Sequence, residues 1–453
     1  MNAPGLRAPV GPTKGAPYSN AYLRYALGLL TAVYVVNFVD RQILAILMNS
    51  IKADLGLSDL QLGLLSGTAF GIFYATLGVP IARLADRFSR KGVMAICLTI
   101  WSGMTALCGT AGGFTALLLY RVGVGVGEAG GSPPAHSMIS DYFPAEKRAT
   151  ALGIFSLGVP LGIMVGFMAG GWMDQVLGWR MAFMLVGAPG VLLAGIVALT
   201  LREPPRGLSD VAHAGDVTGE RALPDVGEVI RFLGRSRAFR HNAIGSGLYA
   251  FVGYSTTNWA PSFLSRSHQM SQGEIGTVLA LIIGISGGLG IYLGGHLSDR
   301  FGARDPRYRM WIPAFAMWLS VPFGFVVYTT DHTVLALSLF VFPVFLGLVY
   351  QAPALALSQS LSTPRMRATA SAVLLFVINI IGLALGPPAT GLLSDLLEPR
   401  FGEQSLRYAM LLTSLVLIWS GVHFWFASKT LGADLAVAKA ASEREAAGRS
   451  IWG

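Results

Sequence analysis

Gly295-His296-Leu297-Ser298-Asp299-Arg300-Phe301-Gly302-Ala303-Arg304 lies between two long apolar runs, and a related stretch, Arg83-Leu84-Ala85-Asp86-Arg87-Phe88-Ser89-Arg90-Lys91, lies between two others. Their shared Asp86-Arg87 and Asp299-Arg300 pairs are 213 residues apart. Other echoes keep nearly the same offset. Arg148-Ala149-Thr150-Ala151 returns as Arg367-Ala368-Thr369-Ala370, Gly162-x3-Gly166 as Gly382-x3-Gly386, and Asp174 as Asp395. A unit of roughly half the chain has therefore been used twice, as repeat architectures require.

The apolar runs around these loops set the fold class. Of the 453 residues, 53% are hydrophobic and only 13% charged, with a mean hydropathy of +0.57. A soluble domain carries about 25% charged residues, so most of this surface is built for lipid. A bilayer core about 30 Å thick takes about 20 helical residues to cross. Twelve segments meet that length: 23–49, 60–83, 92–112, 114–140, 148–174, 180–201, 238–264, 272–297, 308–329, 332–360, 367–394 and 406–431. The expected architecture is an all-α polytopic membrane protein of two pseudo-symmetric six-helix bundles. Its expected divisions are an N-terminal tail (1–22), a bundle (23–201), a linker (202–237), a second bundle (238–431) and a C-terminal tail (432–453). The linker holds an amphipathic stretch, Val226 to Leu233, readable as a tether or as an interfacial helix.

Lysine and arginine set the orientation. With the N-terminus in the cytoplasm, 26 of the 33 fall on the cytoplasmic side, five on the outer side, and Arg41 and Arg121 within the membrane. That bias predicts cytoplasmic termini, in a bacterial inner membrane. The net charge of +9 is spread over short loops and forms no single patch, which argues against a nucleic-acid partner. The polar N-terminus lacks the basic-then-apolar pattern of a cleaved signal. Cys97 and Cys108 lie inside an apolar segment and read as packing. Gly125-Val126-Gly127-Glu128-Ala129-Gly130 matches a dinucleotide-binding spacing, but no strand precedes it. His136, His241, His296 and His423 have no ligand spacing, and no phosphate-binding loop for ATP is present. An enzyme, a metal site and an organic cofactor are thus not expected, and protons are the expected coupling ion.

Buried charge carries the functional reading. Asp40 and Arg41 stand in the first apolar segment, Arg121 and Glu128 in the fourth. From the expected outer ends, Asp40 and Arg41 lie about 14–15 Å deep, Arg121 about 10 Å and Glu128 about 21 Å. Charges at such depth are costly and mark functional sites, although a self-neutralising network that only joins two helices is also open. Desolvation disfavours an ionised carboxyl and a neighbouring arginine favours it. Competition between a proton and an anion is therefore a natural coupling device. Asn37, Tyr249, Thr256, Asn258, Trp259, Tyr350, Gln351 and Asn379 are candidate cavity residues, each of which could equally be packing. Glycines and prolines in Gly158-Val159-Pro160-Leu161-Gly162 and Gly382-x3-Gly386-Pro387-Pro388 fit either moving or closely packed helices.

Gly295–Arg304 is similar to the G-x3-D-R-x-G-x-R signature of the major facilitator superfamily, and the 83–91 stretch departs from it with Ala82 and Ser89 where glycines are usual. Within that superfamily, Asn37-Phe38-Val39-Asp40-Arg41, Arg121-x3-Gly125-Val126-Gly127-Glu128-Ala129, Ile139-Ser140-Asp141-Tyr142-Phe143 and Gly178-Trp179-Arg180 resemble the spinster-type transporters. The resemblance implies a major facilitator fold and proton-linked transport of lysolipids or sphingosine-1-phosphate-like molecules. It implies proton-coupling roles for Asp40 and Glu128, with Arg41 and Arg121 as their partners or as head-group contacts. Asp86, Arg87, Asp299 and Arg300 would latch the halves on the cytoplasmic side. A monomer in contact with membrane lipids is expected, with an amphipathic anionic substrate. Carriers of small organic anions, sugar acids or drugs remain open, as does a non-transporting receptor or scaffold.

Overall fold

A segment crossing lipid must satisfy its own backbone, and a helix does so unaided. The computed structural model describes residues 18–206, 224–447 and 449–450, and every regular element among them is a helix. Most of the N-terminal tail, with Arg7 and Lys14, and linker residues 207–223, with Arg221, lie outside the described residues.

Each expected segment coincides with a helical run. Helix 1 is Asn20–Leu55, helix 2 residues 59–87, helix 3 Arg90–Cys108, helix 4 residues 114–142, helix 5 residues 145–177 and helix 6 Trp179–Thr200. Helix 7 is Arg237–His268, helix 8 Gln272–Gly302, helix 9 Tyr308–Thr329, helix 10 Thr333–Ser360, helix 11 residues 364–401 and helix 12 residues 405–446. Among the described residues, nine runs are long and apolar enough to count as spans on hydropathy alone. Helix 4 falls short because Ala129–Gly131 interrupts it, and helix 7 because of its polar residues. Helices 11 and 12 run together on that measure.

The amphipathic linker stretch forms the linker helix, Val226–Arg235. Asp225 caps it by accepting from Gly227 N–H at 2.9 Å. Val229, Phe232 and Leu233 are buried in the core of helices 7, 9 to 12, so the helix lies against the second half of the chain.

The face on which helix 1 begins is called the basic face here. Toward the opposite face the two halves share one core, from Ile43 and Leu62 on one side to Trp259 and Leu279 on the other. Toward the basic face the cores separate, one around Leu30, Trp101 and Phe155, the other around Phe239, Leu357 and Phe424. Glycine permits the shared seam. A Cβ on Gly171 would stand 2.2 Å from Gln272 O, and one on Gly276 2.2 Å from Phe167 O. Hydrogen bonds join the halves from that face down to Thr68 Oγ1, which donates to Ala384 O at 2.8 Å. The halves thus meet on the opposite face and diverge toward the basic face.

Candidate functional site

Helix 1 extends six residues past its expected crossing segment, ending at Gly56, whose φ of +63° breaks the helix. This corrects the depths. Counted from Leu55 and Phe114, Arg41 and Glu128 both lie about 21 Å in, level with each other.

They meet there. Arg41 Nε donates to Glu128 Oε2 at 2.7 Å; the Glu128 side chain is fully buried and that of Arg41 15% exposed. Asn37 is buried beside Glu128. Aromatic rings enclose the guanidinium: its carbon is 4.9 Å from the Phe38 ring centroid, 5.0 Å from Phe70 and 4.4 Å from Tyr74. A guanidinium against ring faces gains cation–π stabilisation of about 0.5–2 kcal/mol. Tyr254 faces Arg41 and Tyr74 from helix 7, so the box spans both halves.

Asp40 and Arg121 are also buried but unpaired with each other. Among the described residues, Arg121 donates to the carbonyls of Leu65 and Asp40 alone, each at 3.5 Å. The Asp40 carboxylate makes no ion pair among the described residues, and Trp101 and Thr105 of helix 3 are the polar side chains that adjoin it. The four charges do occupy one region, as expected, in one made pair and one unmade.

The expected cavity residues of the second half divide. Trp259 is fully buried and its Nε1 donates to Pro387 O at 2.9 Å, a strut from helix 7 to helix 11. Asn258 donates to Tyr254 O at 2.8 Å and Asn379 to Leu375 O at 2.9 Å, both within their own helices. Tyr249 packs on Tyr350 at 4.5 Å between centroids, and Tyr350 on Phe424. Thr256 adjoins Tyr328 of helix 9. Gln351 is half-buried at the start of the second part of helix 10. Of the second-half residues in the box, Tyr254 is the one that aligns with the charges.

Two charge clusters at the membrane edges went unread in the sequence. On the opposite face Asp59 takes both Arg266 Nη atoms at 2.7 and 2.9 Å, Lys52 Nζ at 2.7 Å and Ser394 Oγ at 2.7 Å. Asp395 in turn accepts from the backbone N–H of Asp59 and Leu60 at 2.9 and 2.8 Å, capping helix 2 from across the seam. Gln175 Oε1 does the same for Gly273 N–H at the start of helix 8, at 3.0 Å. The Ser58-x-x-Gln61 capping box was the available signal.

On the basic face Arg90 is buried and holds Asp141, Ser137 and, at 2.8 Å, Glu203. Burial pushes the Glu203 carboxyl up, but hydrogen bonds from Arg90, Lys91 N–H and Ser89 outweigh it and leave it below the usual range. A folded value below the unfolded one means that this contribution is present at neutral pH and lost as pH falls through the folded value, below about 4.3. The melting temperature of detergent-solubilised protein is expected to fall in that window. Glu203→Gln should melt lower at pH 7 and show a shallower acid decline; equal declines for both proteins would count against this assignment.

Asp86, Arg87, Asp299 and Arg300 are exposed and make no ion pair among the described residues. Arg206 Nη2 instead donates to the carbonyls of Ala85 and Phe88, at 2.7 and 3.0 Å.

Among the described residues, twelve membrane-length helical runs in duplicated halves around a buried ion pair have the build of a membrane transporter. A family profile described as the Major Facilitator Superfamily matches residues 30–387, and the chain belongs to that superfamily, whose members are transporters and not enzymes. Its branch is the spinster type. Human "Protein spinster homolog 1" is 29% identical over 428 residues, covering 88% of this chain and 79% of that protein. An "MFS-type efflux pump" of Mycolicibacterium smegmatis is 34% identical over 411 residues, covering 90% and 94%. The crystal structure of a bacterial homologue of the human lysosomal transporter spinster, inward-facing and unoccupied, superposes with a TM-score of 0.84 at 32% identity over 92% of this chain and 99% of that one. Its occupied inward-facing form gives 0.81 at 33% identity.

Proposed function

We propose that the chain is a secondary active transporter that alternates access to the Arg41–Glu128 site and couples transport to protons through Asp40 and Glu128. The observation that carries this reading is the Arg41–Glu128 pair, 2.7 Å long and buried mid-membrane in aromatic rings where the halves meet. Buried charge is expensive in a membrane and is kept where it serves transport. Two arginines and two carboxylates sum to zero. A carboxyl that takes a proton leaves the site at +1, which draws an anion.

The substrate that suits this box is an amphipathic anionic lipid, such as a lysolipid or a sphingosine-phosphate-like molecule. The phosphate would meet Arg41, and the chain would lie along Phe38 and Tyr254. Likeness to spinster proteins supports the class. The conformation is read as open to the cytoplasm, with both termini there, in a bacterial inner membrane. The distribution of lysine and arginine supports this, as does likeness to structures described as inward-facing. Asp86, Arg87, Asp299 and Arg300 would engage when that side closes. The protein acts as a monomer, with the proton as coupling ion and no other cofactor.

A second reading, proton-driven efflux of drugs or small organic anions, is favoured by the 34% identity to an efflux pump. Proteoliposomes separate the two. Labelled lysolipid, a sugar acid and a lipophilic dye are offered with and without a pH gradient. Lysolipid accumulation that collapses with the gradient supports the first reading. Gradient-driven movement of the dye or the sugar acid alone supports the second. Movement indifferent to the gradient sinks proton coupling.

A further inference from the structure

Helix 2 changes its winding just before it reaches the charges. Leu64–Thr68 is a π turn, a rare feature that recurs at functional sites. Two residues later stands Phe70, 1% exposed. Its ring centroid lies 5.0 Å from the guanidinium carbon of Arg41 and 5.5 Å from that of Arg121. Helix 4 locks it in place, since a Cβ on Gly125 would come within 2.8 Å of Phe70 O. One ring therefore serves both arginines.

The two arginines are in different situations. Arg41 has closed on Glu128. Arg121, more deeply buried, is held at the limit of hydrogen-bond range by two carbonyls. One of them, Leu65 O, lies inside the π turn. Arg121 is a charged neighbour of the Asp40 carboxylate but makes no ion pair with it, and Trp101 and Thr105 of helix 3 adjoin that carboxylate instead. A guanidinium and a carboxyl that could pair are kept apart, and the guanidinium is held by Leu65 O of the π turn, by the backbone carbonyl of Asp40 and by the Phe70 ring.

The same stretch docks the two halves. Thr68 Oγ1 donates to Ala384 O, and Gly67 and Gly71 abut Leu383 and Ala384 of a second π turn, Ile378–Ala384 in helix 11. A third, Ile282–Ser286, occupies the corresponding place in helix 8 and abuts Met164 of helix 5. A hinge alone accounts for all three. In helix 2 alone does the hinge also touch a buried charge.

We propose that the helix 2 π turn and Phe70 form a positioning device that exchanges the partner of Arg121. Docked on helix 11, the π turn and the ring hold Arg121 off Asp40. Undocked, the turn rewinds to α-helix and carries Phe70 around by about 100°, and Arg121 closes on the Asp40 carboxylate. This rests on the proton-coupling reading, because the exchange matters when Asp40 takes and yields the proton. The titratable and charged groups around the device are Glu128 on helix 4, Cys108 on helix 3, Tyr34 and Arg41 on helix 1, Tyr74 on helix 2 and Tyr254 on helix 7. None of them lies on the turn itself.

Phe70→Leu keeps an apolar side chain but removes the ring, and Phe70→Tyr restores a ring. Each is reconstituted in proteoliposomes with fluorescent lysophosphatidylglycerol as probe and lumenal pyranine reporting protons, from pH 5 to 8. Phe70→Leu is expected to move the pH midpoint of transport by about one unit while KM stays within about two-fold, and Phe70→Tyr to return the midpoint to wild type. A second measurement needs no substrate. Amide exchange over residues 64–70, corrected for intrinsic rates, is expected to change across that pH range in the wild type and to lose the change in Asp40→Asn. An unmoved midpoint in Phe70→Leu, with pH dependence abolished by Asp40→Asn, overturns the exchange and leaves proton coupling standing. Wild-type transport and exchange both flat with pH overturn both.

Discussion

Glu128→Gln is expected to lower transport about 100-fold, the equivalent of about 2.7 kcal/mol, with folding retained. The glutamine can still accept one hydrogen bond from Arg41, but it cannot neutralise the guanidinium. Glu128→Ala removes both and is expected to cost about 3–5 kcal/mol of stability, the usual result when one partner of a buried pair is left alone. A paired substitution decides between a structural and a transport role. Arg41→Met with Glu128→Leu removes both charges of the pair and fills the volume, so most of the stability should return, while transport should not. Asp40→Asn is the contrasting case. The Asp40 carboxylate has no ion pair to lose, and the amide keeps an acceptor toward Trp101 and Thr105, so its stability cost should stay within about 1 kcal/mol. Melting temperatures in detergent and initial transport rates are measured on the same preparations. Transport restored together with stability in the double variant would reduce the Arg41–Glu128 pair to a fastening between helices 1 and 4.

The helices were legible because crossing lipid leaves the sequence so little choice. Length, apolarity and the position of lysine and arginine act one residue at a time, and the duplication is plain in Asp86-Arg87 against Asp299-Arg300. The pairing of Arg41 with Glu128 was half legible. Depth along each helix could be counted, but the count on helix 1 began six residues short of its true outer end, because charged Lys52 lies beyond the apolar run while Gly56 sets the true stop. The aromatic box was missed in part. Phe38 and Phe70 are ordinary apolar residues until the fold lays them against a guanidinium. Trp259 went the other way: a polar handle near mid-membrane reads as cavity, and only the fold reveals that it is used on Pro387 O. Contacts between distant segments, such as Asp59 with Arg266 and Asp395, leave no periodic trace at all. Nor do π turns, which are set by how two helices meet.

Asp59→Ala should therefore have the second large effect, through the equilibrium between conformations. Asp59 is almost completely buried and receives Arg266 at two points, Lys52 and Ser394. The contacts to Arg266 and Ser394 cross between the halves and belong to the state closed on the opposite face, whereas Lys52 shares the first half with Asp59. When the halves part there, Asp59 and Arg266 separate into water, where each charge is well solvated without the other. Removing Asp59 thus destabilises one state and leaves the other nearly unchanged, which is the condition for a population shift. Stranding Arg266, whose side chain is 14% exposed, is worth about 3–5 kcal/mol, or roughly a 150- to 5,000-fold change in the equilibrium. Asp395 adds to the effect, because its hold on the Asp59 and Leu60 N–H groups depends on helix 2 staying docked. Turnover needs both states, so transport should slow even though the Arg41–Glu128 site is intact, and the binding of a probe to that site should survive. Spin labels at Ala53→Cys on helix 1 and Glu398→Cys on helix 11, both exposed positions on that face, report the separation directly. In the parent protein the distance distribution should be short, and in Asp59→Ala it should move to long distances. An unchanged distribution would mean that the glycine seam of Gly171 and Gly276 closes this face without the charges.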